Sequence, residues 1–525
     1  QDTAILPVGG FLAVIFGQTT QAIGLWPAIA AITPIPEHPT GTFFLQGSNP
    51  TLLAALGLLV MAAVMSTCAL TRGLRPPIQE PSPQGLPAWF GVIWAAVAAL
   101  TPPLTLIFLD LIWEPAPRIG PMSWALCALG VAALMVVYAD RLARHDGPTQ
   151  RLRMSLPVLS ALSTLTFACV IVFTDTALTL AMAAMLWGAA LLDRRYQLPQ
   201  MTIFILTGVV SISYRLVMDP GLAFAIHGPL PEVIAAYLGP IVGFCAALSV
   251  LAGLDRPKAR GFLGSAAWTT AGVFVSILLF RWLNSLSGGH TLSHWAMGLF
   301  ASIWLILMLA QIHRMSLGGA LQYLRIGLAG AYALFSGALL AASVLLLNPL
   351  WGGLIPSVSI EVIGPPVLNS LAIAYLLPAG ILIQIPRYRA HLHRHLWITA
   401  CALAVVLGAV WVFAALRHVW QGSEGMDLSH PMTQPELYSY TVVLLLVGAG
   451  LFYQSLARRA KRMRQVGLAV IGLAVIKVFF VDISELNGLT RVFSFLLLGL
   501  ALAGLAWLER WANRGSSAPP PDTDT

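Results

Sequence analysis

Apolar runs of about 20 residues, the length a helix needs to cross a bilayer, recur from Ala4 to Trp511 with short polar breaks between them. Read with a window of about 19 residues, they predict spans near 4–32, 51–71, 88–112, 121–139, 154–174, 176–192, 201–218 and 231–253. Further spans follow near 262–283, 291–312, 326–349, 366–385, 397–417, 437–457, 464–481 and 490–511. The pattern predicts an all-α fold, a polytopic transmembrane helical bundle of about sixteen spans. Two places are ambiguous: Pro27 breaks the long first run, and the runs joined at Thr174 and Asp175 read either as two spans or as one kinked or re-entrant element.

The polar breaks set an orientation, because Lys and Arg are enriched in short cytoplasmic loops. All but six of the 29 basic residues fall in every second connection or in the C-terminal tail. Examples are Arg141, Arg144, Arg151 and Arg153 in one connection, and Arg458, Arg459, Lys461, Arg462 and Arg464 in another. The exceptions are Arg118, Arg215, Arg281, Arg417, Lys477 and Arg491. Both termini are therefore expected in the cytoplasm. One membrane domain is predicted over residues 1–511, followed by a disordered cytoplasmic tail over 512–525 that is too poor in apolar residues to fold alone. The chain begins at Gln1, and residues upstream of it are expected.

Composition narrows the class. Of the 525 residues, 58% are hydrophobic and 10% charged, with a mean hydropathy of +0.81, against roughly 25% charged in soluble proteins. A soluble, collagen-like, disordered or disulfide-framework chain is excluded. The five cysteines lie in apolar stretches without a C-x-x-C pair and read as small buried hydrophobes. The net charge of +8 forms no basic groove with interleaved aromatics, so no nucleic acid is expected; the basic rim suits anionic lipid instead. P-loop, nucleophile-elbow and dinucleotide patterns are missing, and no cofactor is expected. His290 and His294 are spaced i, i+4, but without an H-E-x-x-H pattern no metal is expected there.

Ionisable groups inside spans are costly and mark sites by default. Asp110, Arg215 and Lys477 each lie within a turn or two of the outer end of an outward-running span. Lys477 cannot pair with Asp482 on one regular helix face, because five residues turn a helix by about 140°. Lys477 and Arg215 either snorkel to outer headgroups or line a polar site between helices. The outer connection RHVWQGSEGMDLSHPMTQPELYSY concentrates Arg417, His418, Trp420, Glu424, Asp427, His430, Glu436, Tyr438 and Tyr440. It reads as a sugar or headgroup site, or as an interfacial aromatic belt. His391, His393 and His395 read as solvated loop histidines, and Gln18 and Gln21 as interhelical hydrogen-bonding groups.

The run VGLAVIGLAVIKVFFVDISELNGLTRVFSFLLLGLALAGLAWLER, Val466 to Arg510, resembles the closing signature of a large family of uncharacterised bacterial polytopic predicted membrane proteins. Lys477, Asp482, Leu486, Arg491, Phe493, Ser494, Phe495 and Gly499 carry the likeness, and Arg417, Trp420, Gly422, Glu436, Tyr438 and Ser439 resemble the family's penultimate segment. It is specific over about residues 410–511. The resemblance implies a multi-pass protein of the bacterial inner membrane connected with the envelope, with no established reaction. It adds weight to Lys477, Asp482, Arg491, Arg417 and Glu436.

The leading expectation is binding or translocation of a lipid-linked or glycan envelope intermediate in an outer-leaflet cavity. Arg215, Arg417, His418, Trp420, Glu436, Lys477, Asp482 and Arg491 are the candidate binding residues, with Asp110 and Glu485 as ion-pair or proton-relay groups. Membrane lipids, such a ligand and an envelope protein are the expected partners. Two alternatives stay open: a non-catalytic scaffold for envelope proteins, and a membrane-embedded envelope transferase using His418 or Glu436 as base.

Overall fold

The computed structural model describes residues 52–74, 89–113, 115–146, 151–287, 292–316, 321–351 and 361–478, with isolated positions between 496 and 507. The predicted spans at 4–32 and 490–511 lie outside or almost outside these. Every regular element among the described residues is helical. Eleven helices are long and apolar enough to cross a membrane, and a twelfth span arises if two shorter helices bent by 53° count as one.

The described helices fall into two compact units. The first takes Gln1–Trp282 and Gln311–Leu328. It contains α1 (Leu52–Leu74), α2 (Trp89–Trp113), the short α3 (Pro115–Ile119), α4 (Pro121–Asp146), α5 (Arg151–Val172) and α6 (Asp175–Tyr196). After these come α7 (Met201–Val217), the short α8 (Gly221–His227), α9 (Leu230–Val250) and most of α10 (Pro257–Ser287). The junction at Thr174 is thus a break between two helices. The predicted span at 201–218 is α7, and α8, bent by 53° from it, follows beyond its end.

Proline explains one feature of this unit's packing. Pro102 and Pro103 lie inside α2 and carry no N–H, so the carbonyls of Ala98 and Ala99 lose their helical donors. In a bilayer such a carbonyl must find another partner within the protein. The Ser66 hydroxyl of α1 donates to the Ala98 oxygen, and the Ser160 hydroxyl of α5 donates to the Ala99 oxygen at 2.6 Å. All four residues around these bonds are buried, so the prolines tie three helices together.

The second unit takes Leu283–Ala310 and Ala329–Thr525. Its elements are the end of α10, the first part of α11 (His294–Ser316), most of α12 (Gln322–Ala341), α13 (Leu377–Leu382), α14 (Arg394–Gln421), α15 (Gln434–Ala457) and α16 (Lys461–Lys477). Two of these are interrupted. α12 runs into a π turn, Ala342–Leu346, and a second π turn, Ala372–Leu376, leads into α13. The predicted span at 366–385 is accordingly broken. Gly364, Pro365 and Pro366 precede it, and Pro378 lies in the first turn of α13.

α15 and α16 pack closely at paired glycines. A side chain's first carbon at Gly448 would lie 2.6 Å from Cγ1 of Ile471, and one at Gly467 would lie 2.9 Å from the Phe452 nitrogen. Small residues of this kind let transmembrane helices approach. Lys477, at the end of α16, donates to the Leu437 carbonyl at 2.9 Å and to the Thr441 hydroxyl at 2.7 Å.

Candidate functional site

In the second unit, the two π turns lie close to the N-terminus of α11. Pro378 cannot donate to the Ala374 carbonyl, and Gly298 of α11 packs onto that group. A side chain's first carbon at Gly298 would lie 2.4 Å from the Ala374 oxygen and 2.5 Å from its Cα. The π turn of α12 is held to the same place by Ser343, whose hydroxyl donates to the His294 carbonyl at 2.8 Å. Tyr375 in the other π turn donates to the Ser343 carbonyl at 3.2 Å. π turns are frequent at functional sites.

The chain ahead of the second π turn is capped by Asn369. Its side-chain oxygen accepts from the Leu371 N–H at 3.1 Å, and its backbone carbonyl from Ala372 at 3.0 Å. Its amide nitrogen lies 3.0 Å from Nδ1 of His418 on α14, and accordingly donates to it. Ser370 lies 3.0 Å from Nε2 of His294 and accepts from the Ile363 N–H at 3.2 Å. His294 is fully buried, and its Nδ1 has no hydrogen-bond partner. Each of the two buried histidines therefore contacts one of two adjacent polar residues.

Asn369 and Ser370 also line a cavity of about 520 Å³, together with Ser293. The other walls are apolar: Leu283 and Leu286 from α10, Trp295 and Ala296 from α11, and Ile363, Leu368, Ala372 and Ile373 around the broken segment. None of these residues is charged. An apolar chamber with a few convergent polar groups is the usual form of a small-molecule site, and this one falls within the typical range of roughly 300–1,000 Å³. It can pack hydrocarbon while offering hydroxyl and amide hydrogen bonds at one part of its wall.

The connection from α14 to α15 is built around Arg417. This side chain is fully buried, and so is Glu436; Nη1 donates to Oε1 of Glu436 at 3.1 Å. Nε donates to the Met426 carbonyl at 2.8 Å, and Nη2 to the carbonyls of Asp427 and His430. Glu436 also accepts from Tyr440 at 3.0 Å and from Gln421 at 2.7 Å, and it closes a capping box with Thr433. α14 ends at Gly422, whose φ of +70° suits glycine. At the surface, Asp427 accepts from the backbone N–H and hydroxyl of Ser429, which hold its carboxyl below the usual range.

The sequence candidates thus have distinct surroundings. Arg417 and Glu436 meet each other and the loop backbone. His418 reaches a cavity-lining residue, and the Trp420 indole donates to Ser439 at 2.9 Å. Lys477 binds α15. In the first unit, Arg215 donates to the Asp175 carbonyl at 3.1 Å, and Asp110 accepts from the Trp124 indole at 2.9 Å. Asp482, Glu485, Arg491, His290, Gln18 and Gln21 lie outside the described residues. Sequence reasoning passed over Ser293, Asn369 and Ser370, which are uncharged. The pointer to them was Gly364-Pro365-Pro366 followed by Pro378, a signature of interrupted helix.

No curated protein and no solved structure matches the chain. The model of a family described as predicted membrane protein (DUF2339) does match, over residues 5–511, which is nearly the whole sequence. The helices, their apolar composition and this match agree: the chain belongs to that family of predicted membrane proteins.

Proposed function

We propose that the protein binds an amphipathic molecule of the cell envelope, a lipid-linked or glycan intermediate, in the cavity of the second unit. The observation that carries this reading is an apolar cavity, uncharged among its described lining residues, whose polar groups, Ser293, Asn369 and Ser370, are placed by interrupted helices. The ligand's uncharged polar part lies against these three residues, and its hydrocarbon lies along Leu283, Leu286 and Ile373. Arg417 is spent on Glu436 and loop carbonyls, which favours hydroxyl, amide or sugar chemistry over a phosphate at this cavity.

In the same reading the protein is a multi-pass protein of the bacterial inner membrane with both termini in the cytoplasm. The cavity then faces the outer leaflet, because on α11 and α14 the cavity end is the one away from Arg314 and Arg394. Movement of the ligand between leaflets is the transport form of this proposal, and interrupted helices at binding sites are its structural precedent.

The test is ligand retention. The protein is extracted from its own membranes into nanodiscs, and bound molecules are identified by mass spectrometry for the wild type and for Ile373→Trp. Ile373 is 39% exposed, so the larger ring fills the cavity without a tightly packed position being disturbed. The proposal requires a stoichiometric amphipathic molecule on the wild type and its loss from the variant at unchanged melting temperature. Equal retention by both proteins, or none by either, overturns it.

A further inference from the structure

A second cavity, of about 620 Å³, lies in the first unit between α4, α5 and the end of α6. Its walls are hydrocarbon, and small residues of α4 make the room: Ala132, Ala139 and Ala143 face Val158 and Leu162 of α5. Among the described residues, its polar lining groups are Asp140 and Tyr196. An apolar space of this kind holds no water. In a membrane, the abundant molecule that fits it is an acyl chain.

The polar end of the cleft says which lipid. Arg144 is fixed over Asp140 by two contacts, Nη2 to Oδ2 at 2.8 Å and Nε to Oδ1 at 3.1 Å, so that carboxylate is already neutralised. Two further described acids at this end are taken up too. Asp146 pairs with Arg153 at 3.0 Å, and Asp193 is gripped by Arg256 at 2.9 and 3.0 Å. Arg141 and Arg195 are exposed, and Arg195 lies one turn beyond the lining residue Leu192. The mouth therefore carries surplus positive charge beside a phenol hydroxyl.

We infer that this cleft is a binding site for an anionic phospholipid, with one acyl chain between α4 and α5 and the phosphate at Arg195 and the Tyr196 hydroxyl. Arginine forks suit phosphate oxygens, and basic pockets between transmembrane helices take anionic headgroups. The site is independent of the cavity in the second unit.

The test uses the full chain in nanodiscs of phosphatidylcholine, with and without phosphatidylglycerol. Retained phospholipid is read by native mass spectrometry, and the melting temperature is measured alongside. Wild type is expected to keep a phosphatidylglycerol molecule through delipidation and to melt higher when that lipid is present. Val136→Trp, which fills the cleft from an exposed wall position, removes both effects. Arg195→Gln leaves melting in phosphatidylcholine unchanged and weakens retention about fivefold. If the phosphatidylglycerol effects survive Val136→Trp, the attraction is spread over the surface and the cleft assignment is wrong. Equal retention of phosphatidylcholine overturns the headgroup assignment.

Discussion

The guanidinium of Arg417 and the carboxylate of Glu436 stand 3.1 Å apart with neither side chain exposed, and the arginine also binds the carbonyls of Met426, Asp427 and His430. Two buried charges persist only where geometry and further hydrogen bonds offset their desolvation. Here the loop backbone supplies those bonds, so the ion pair fixes the α14–α15 connection in one shape. Arg417→Ala leaves a buried carboxylate and three carbonyls uncompensated, and is expected to cost about 3–5 kcal/mol. Arg417→Lys recovers little of this, because one ammonium cannot reproduce the planar fork. The unfolding midpoint in detergent checks both, and a wild-type midpoint for Arg417→Lys contradicts the clamp.

Asp427 gives the same loop a defined pH response. Ser429 binds its ionised form, so the carboxyl titrates below its ordinary value of 3.8 in the folded chain. The unfolded chain therefore takes up the proton first as pH falls. The contribution of this turn is complete above that ordinary value and disappears as pH drops through the lower folded value. Protease cleavage between Gly422 and Thr433 should be flat from neutrality down to about pH 5 and rise only in stronger acid. A rise centred near pH 6 contradicts this assignment.

The prolines of α2 offer a coupling experiment. Ser160→Ala strands the buried Ala99 carbonyl and is expected to cost about 1–3 kcal/mol. Replacing Pro103 by alanine restores that carbonyl's helical donor, so Ser160→Ala in the Pro103→Ala background should cost much less. The double-mutant cycle measures the difference. Additive costs would mean that the serine does not serve the proline's carbonyl.

Gly298 tests the packing beneath the second unit's cavity. An alanine there sets a carbon against the Ala374 backbone, which cannot swing away as a side chain can. Overpacking of this kind costs about 1–3 kcal/mol. Gly298→Ala should lower the melting temperature and reduce ligand retention together, whereas Gly330→Ala, inside α12 with open space around it, should not lower the melting temperature and should leave retention intact.

Much of the fold was legible because bilayer crossing imposes a length and a composition that a hydropathy window reads directly. Eleven predicted spans coincide with long helical segments, one of which, α12, runs into a π turn. The span at 366–385 breaks, and the one at 201–218 is followed by a bend at Pro220; at both places proline alters the backbone while the residues stay apolar, and hydropathy is blind to this. The site was less legible for a related reason. Charge drew attention to Arg417 and Glu436, yet those charges meet each other within the protein. The cavity is lined by Ser293, Asn369 and Ser370, ordinary polar residues whose grouping depends on tertiary contacts among α11, α14 and two π turns. Among the described candidate binding residues, His418 touches a lining residue, Asn369.

The most direct measurement is an electron cryo-microscopy map of the protein in nanodiscs made from its own membranes, inspected at the cavity bounded by Leu286, Trp295, Asn369 and Ile373. The account predicts elongated density with its polar end within hydrogen-bonding distance of Asn369 and Ser370. A cavity that is empty, or closed by its own side chains while lipid is resolved elsewhere on the surface, contradicts it.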